Sequence, residues 1–361
     1  MSLMAKEHNA INLSQGFPDF PIDDTLKNLI SKKIHGDIHQ YCPASGHPDL
    51  LEGIAHIVEK SYHRNVKVDK EILVTAGATQ AIYTAIQALV HPGDEVIILD
   101  PSYDCYVAPI LLCNAKPVRV SLGPDFMPDW DSIQNLVSHK TKLIITNNPH
   151  NPSGRTWTEK DMNQLELLLA KYKNLHLLSD EVYEFITFEN KHLSVHLYES
   201  LQKKSIIVSS FGKTLHVTGW KIGYVIADEK IMNEIKKVHQ YMVFCVNSIS
   251  QHVIGEYIKE VGLKGIHGLY QKKRDLFRRG VEKSRFKVLP CEGTYFQTLS
   301  YEGISNLTDV QFTEKLTKEH GVAAIPVSVF SEHNQHNKMI RFCFAKENKT
   351  LEKATNLLCK I

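Results

Sequence analysis

Short apolar runs alternate with amphipathic stretches through the middle of the chain. Ile72–Thr75 predicts a strand, and Ala78–Leu89 predicts a helix that His91-Pro92-Gly93 ends. Glu95–Leu99 reads as the next strand, broken by Asp100-Pro101-Ser102. Lys142–Thr146 follows and stops at Asn147-Asn148-Pro149, and Glu159–Tyr172 has helical spacing. His176–Ser179, Ser205–Ser209 and Val225–Ala227 complete the set of strands. Strands that alternate with helices imply βαβ units, so the expected fold is α/β with a mainly parallel central sheet.

Beyond about residue 230 the texture changes. Charged helical stretches run from Lys230 to Glu260 and on to Arg279. β-like segments follow at Lys287–Leu289, Gly293–Leu299 and Met339–Phe344. A chain of 361 residues exceeds the size at which single cores stop growing. The expected organisation is a large domain over residues 37–260 and a smaller α+β domain over 261–361. The N-terminal segment, 1–36, joins the smaller one. No internal repeat or low-complexity stretch stands out.

Composition narrows the class. The chain carries 42 basic and 40 acidic residues, for a net charge of +2, which argues against nucleic acid as a partner. Lys272, Lys273, Arg274, Arg278 and Arg279 read as a solvated helix face. The 7 cysteines are odd in number and form no C-x-x-C pair, so neither a disulfide framework nor a thiolate metal site is expected. The 19 histidines form no H-E-x-x-H, and no metal is expected. No apolar run approaches the roughly 20 residues that span a bilayer, and Met1–His8 lacks the apolar core of a signal peptide. A cytoplasmic protein is the expectation.

Ligands of open parallel sheets bind outside the carboxyl ends of the strands. Polar residues collect there repeatedly: Ala76-Gly77-Ala78-Thr79, then Asn147–Asn151, then Asp180, then Ser210-Phe211-Gly212-Lys213. Small residues before a helix suit a phosphate, although a Thr-capped strand-to-helix turn reads the same way. Gly212-Lys213-Thr214 resembles the end of a P-loop, but Ile207 stands where that motif needs its first glycine. An imine to an aldehyde cofactor explains a lysine at this strand end, and a turn lysine is the plainer reading. Asp180 suits a protonated ring nitrogen or a helix cap. Arg341, in the alternating Met339–Ala345 segment, offers a planar fork to a carboxylate, or is a paired surface residue.

Together these residues carry a resemblance. Segments Ile11–Phe20, Val74–Ala81, Asp100–Asp104, Asn148–Gly154, Ser179–Glu184, Ser209–Tyr224 and Gly321–Pro326 resemble the fold-type I pyridoxal-phosphate enzymes of aminotransferase class I/II. The likeness is strongest to the methionine and kynurenine–oxoglutarate transaminase group. The run Ser210-Phe211-Gly212-Lys213, followed by Thr218-Gly219-Trp220-Lys221-Ile222-Gly223, is its most specific part.

The resemblance implies that Lys213 bonds pyridoxal phosphate as a Schiff base and then moves the proton. Asp180 pairs with the ring nitrogen, Asn151 and Tyr183 with the ring's phenolic oxygen, and Tyr103 stacks on the ring. Gly77, Ala78, Thr79, Ser210 and Lys221 hold the phosphate, with Lys221 where many relatives have arginine. Tyr41 reaches the phosphate of the partner subunit in a homodimer. Arg341, Gly16 and Asn151 bind the substrate α-carboxylate, and Phe17, Tyr41 and Phe244 line the side-chain pocket.

The implied activity is ping-pong transfer of an amino group from an apolar or aromatic amino acid, methionine favoured, to a 2-oxo acid. A carbon–sulfur β-lyase with the same cofactor is the nearest rival, and a non-catalytic sensing module a remote one. Fewer residues precede Ile11 than in most of that family, which shortens the arm expected to pack on the other subunit.

Overall fold

The computed structural model describes residues 1–332 and 338–361. Its central feature is a 7-stranded sheet whose spatial order, by residue range, is Ile72–Thr75, Gly223–Ala227, Ser205–Ser210, His176–Asp180, Thr141–Asn147, Glu95–Asp100 and Lys116–Ser121. All neighbouring pairs are parallel except those of Gly223–Ala227, which runs antiparallel to both its neighbours. The mainly parallel sheet expected from the sequence is therefore present.

The inner strands are apolar at consecutive positions because helices cover both faces. Ile206, Ile207 and Val208 are all buried, and each such side chain contributes roughly 2 kcal/mol by leaving water. Helix Glu159–Lys171 starts at a capping box, where the Thr158 and Asp161 side chains satisfy each other's backbone amides. Its buried Met162, Leu165, Leu168 and Leu169 lie on one stripe and pack under the sheet.

Three expectations needed correction. Lys116–Ser121 is an edge strand that the pattern did not reveal, since Pro117 and half-exposed residues blur its alternation. The stretch 230–260 is not continuous helix. It divides into Glu229–Met242 and Ser248–Glu260, because Phe244 takes a left-handed φ of 66° and the Asn247 side chain caps the second helix. The basic cluster is not wholly solvated either: Arg274 is buried, paired with Glu189 at 2.6 Å and lying 4.3 Å from the centre of the Phe188 ring.

The C-terminal third forms a 4-stranded antiparallel sheet in the order Ile325–Pro326, Met339–Cys343, Phe296–Ser300, Lys287–Val288. The start of the chain is tied to this end of the molecule. Ile11–Asn12 pairs in parallel with Val322–Ala323, and the Cys343 amide donates to the Leu13 carbonyl at 2.7 Å. Two remote stretches of sequence therefore meet beside the carboxyl ends of the large sheet. Among the described residues no helix is long and apolar enough to cross a membrane.

Candidate active site

Six of the strands end on one side of the sheet, and the loops after five of them surround a cavity of about 500 Å³. Gly77, Ala78 and Thr79 line it from the first of these loops, and Tyr103 and Asp104 from the next. Asn147 and Asn151, then Asp180 and Tyr183, then Ser210 and Lys213 contribute from the remaining three. The antiparallel strand begins at this end, so Lys221 and Ile222 enter as well. Gly16, Phe296, Phe330 and Arg341 close the other side.

The first loop is shaped for an anion. Helix Gly77–Leu89 has no side-chain cap, so Thr79 is not the helix cap that the bland reading required. Its first-turn amides adjoin the Lys221 ammonium. A Cβ at Gly77 would stand 3.4 Å from Lys221 Nζ, and φ there is +76°, which glycine tolerates. A Cβ at Gly223 would crowd the Ala78 nitrogen at 3.0 Å. Helix amides, the Ser210 hydroxyl and one lysine could together hold a phosphate-sized dianion.

Asp180 is buried at the sheet's end. The Tyr106 hydroxyl donates to its Oδ2 at 2.5 Å, and the Asn147 side chain donates to its carbonyl at 2.9 Å. Burial pushes the carboxyl up from 3.8 to about 6, against the pull of Tyr106 and of the Val182 amide. A carboxylate in this position favours a cationic partner.

In the ligand-free protein Asp180 adds stability below its unfolded value of 3.8, and that contribution is lost as pH rises through about 6. The difference is on the order of 3 kcal/mol. Asp180→Asn is expected to flatten the fall of Tm across that window. An unchanged Tm profile would refute the assignment.

Lys213 lies in the short helical turn Phe211–Thr214, largely buried and open only to the cavity. Its Nζ is 5.8 Å from the Tyr183 ring centre and 5.6 Å from that of Tyr295. Burial, aided by the nearby Arg341 and Lys221 charges, lowers the amine from 10.5 to about 8. A neutral amine, able to act as nucleophile or base, is thus accessible near physiological pH.

Arg341 is buried on the opposite wall. Nη1 donates to Asn151 Oδ1 at 2.6 Å and Nη2 to the Ser14 carbonyl at 3.4 Å, while Nε has no hydrogen-bond partner among the described residues. Both partners are neutral. The guanidinium stacks 3.9 Å from the Phe296 ring centre and 4.9 Å from that of Phe330. A buried cation with neutral partners and an orphaned donor could receive a carboxylate.

Tyr103 is half-buried and shares a hydrogen bond with Thr79. Tyr183 stands edge-on to Tyr295 at 5.2 Å. Phe17, Tyr41 and Phe244 do not reach the cavity of their own chain. Tyr41 is 81% exposed and meets Phe244 edge-on at 5.2 Å, while Phe17 lies outside the lining. The expected wall of these three is thus not assembled by a single chain. Tyr106, Phe296 and Phe330 line or brace this site without a mark in the sequence. The Asn147-Asn148-Pro149 run was visible as a strand stop, but nothing in it distinguished Asn147 as the residue that braces Asp180.

The fold and the cavity define a class, and the comparisons agree. The model of aminotransferase class I and II matches residues 8–358, and the chain belongs to that family. A methionine aminotransferase of Escherichia coli is 44% identical over 362 residues, covering 99% of this chain and 94% of the relative. A solved structure of the E. coli methionine aminotransferase superposes with a TM-score of 0.97 at 43% identity, covering 100% of this chain and 96% of that one. Human kynurenine–oxoglutarate transaminase 3 is 31% identical over 98% of this chain and 86% of its own. The architecture is the fold-type I aminotransferase arrangement.

Proposed function

We propose that this aminotransferase uses pyridoxal 5'-phosphate and takes its amino group from an apolar or aromatic amino acid, methionine favoured, passing it to a 2-oxo acid in ping-pong order. One observation carries the reading: a lysine amine depressed by burial, an arginine with an unpartnered donor and the buried Asp180 line one cavity. The residues fit the cofactor. The anion cradle at Gly77–Thr79, Ser210 and Lys221 suits its phosphate, Asp180 its ring nitrogen, and Tyr103 its ring face. The Asn151 amide nitrogen and the Tyr183 hydroxyl suit its phenolic oxygen. When bound, the cofactor supplies an aldehyde for Lys213 and a ring that accepts electrons.

The chain's own residues do the rest. Arg341 grips the α-carboxylate, and Asn151 holds the guanidinium in place. Lys213 would hold the aldehyde of the cofactor, and its Nζ would take the α-proton of the amino acid and carry it for return. Burial keeps that amine neutral enough to act as a base.

The wall supports the substrate class. Ile325, Val329, Phe330 and Phe296 are apolar, and the described lining holds no cation besides Lys213, Lys221 and Arg341. A second carboxylate on the donor would find no partner there. The methionine preference draws on the E. coli relative at 44% identity.

A homodimer is part of the proposal. Tyr41 and Tyr241 are 81% and 88% exposed, a pattern that suits cover by a second copy, which would bring Tyr41 to the partner's phosphate. The 7 free cysteines suit a reducing, cytoplasmic setting.

Borohydride treatment of the loaded protein tests the reading. It is expected to fix a pyridoxyl group on the peptide that contains Lys213. A label on any other peptide overturns the assignment.

A further inference from the structure

Strand Glu95–Asp100 ends in a carboxylate that is buried, a costly place for an anion without partners. Arg119 Nη1, from the neighbouring strand Lys116–Ser121, donates to Asp100 Oδ1 at 2.5 Å, and the Ser102 hydroxyl donates to the same atom at 3.2 Å. Asp100 Oδ2 accepts from the Glu332 amide at 3.0 Å, across 232 positions of sequence. Arg119 Nε also lies 3.5 Å from Glu332 Oε2. Beside them the Ser102 amide donates to the Phe330 carbonyl at 2.8 Å.

These contacts fix a segment that borders the cavity. At its other end, the Ser328 amide and hydroxyl both donate to Asp309, each at 2.7 Å. Phe330 stands between the two clamps. It lines the cavity, and its ring centre is 4.9 Å from the Arg341 guanidinium. Arg119 supplies the countercharge that a buried Asp100 needs, and the same guanidinium reaches Glu332. Neither Asp100 nor Arg119 lines the cavity, so their influence passes through the segment that carries Phe330.

We infer that Arg119, acting through Asp100, is a positioning residue for amino-acid recognition: it fixes residues 330–332 so that the Phe330 ring stays against Arg341. This rests on the reading of Arg341 as the partner of the α-carboxylate. A ring against the guanidinium keeps water from one side of it and limits its rotation, and both favour pairing with a carboxylate. Releasing the segment leaves Arg341 on its own strand, but wetter and less oriented. Amino-acid affinity falls. Lys213, Asp180 and the anion cradle belong to other segments, so cofactor binding and proton transfer persist.

The test uses the loaded enzyme, with methionine as donor and 4-methylthiobutyrate as a competitive inhibitor that has the carboxylate but no amino group. Arg119→Met keeps the stem and removes the charge. It is expected to raise KM for methionine by about 5-fold or more, while kcat changes by less than about 2-fold. The inhibitor should lose affinity to a similar extent, and the absorbance of bound cofactor should stay the same. Arg119→Lys, which returns a cation to Asp100, should recover most of the loss. Phe330→Ala should show the same split between KM and kcat, and the double variant should lose little more, because both act on one contact.

Unchanged affinity for methionine and the inhibitor, a fall in kcat as large as the rise in KM, loss of cofactor, or no recovery with Arg119→Lys overturns the inference. If Arg119→Met does not fold because Asp100 is left without a countercharge, Asp100→Ala combined with Arg119→Met serves, since it removes both charges. That pair must raise KM with kcat preserved, or the inference fails. Undiminished methionine affinity in Arg341→Ala would instead overturn the carboxylate reading itself, and this inference with it.

Discussion

Replacing Lys213 with alanine is expected to lower amino-group transfer by about 10,000-fold or more, since one side chain supplies both the covalent attachment and the proton transfer. Its nitrogen is the only described lining amine besides Lys221, and Lys221 is committed to the anion cradle beside Gly77. Folding should not suffer. Burial already disfavours the charged amine, so the truncation removes a group that the fold holds at a cost. Steady-state rates and a thermal melt measured side by side check this. A small amine such as methylamine should restore part of the rate by entering the vacated space. Full activity in Lys213→Ala would end the assignment.

The second large effect is expected at Arg341. Arg341→Ala should weaken amino-acid binding by about 100-fold or more, because a substrate carboxylate would lose its buried cationic partner. Cofactor binding should change little, as the cradle, Asp180 and Lys213 come from other segments. Arg341→Lys should recover only part, since an ammonium cannot reproduce the planar fork that meets Asn151 and the Ser14 carbonyl together. Titration of bound-cofactor absorbance with methionine separates the two effects. Loss of cofactor with unchanged amino-acid affinity would contradict the assigned role.

Much of this was legible in the sequence, for a physical reason. Strands buried on both faces read as unbroken apolar runs, so Thr141–Asn147 and Ser205–Ser210 announced themselves within a residue or so. The polar residues that end them mark the crevice directly. Arg341 was visible because a charged residue inside an alternating strand needs an explanation. Other features left no such mark. Lys116–Ser121 sits at the sheet edge, where burial is partial and the pattern dilute. Tyr106 is one more aromatic until the fold brings it to Asp180. Lys346 looks like any charged residue near a helix start, and its burial against Phe17 arises from a contact across 329 positions. Phe17, Tyr41 and Phe244 were named by the resemblance, and in a single chain they stand exposed, which the local pattern does not encode.

That long-range contact bears on how the enzyme is made. The cavity loops from Gly77 to Lys221, Lys213 among them, are all translated by Gly223, whereas Arg341 and Lys346 emerge more than a hundred residues later. The early loop 13–19 must wait, exposed, until those last partners leave the ribosome and strap it down. On the proposed roles, a nascent chain would hold its cofactor loops before it has the arginine for an amino acid, so substrate competence would arrive with the final strand.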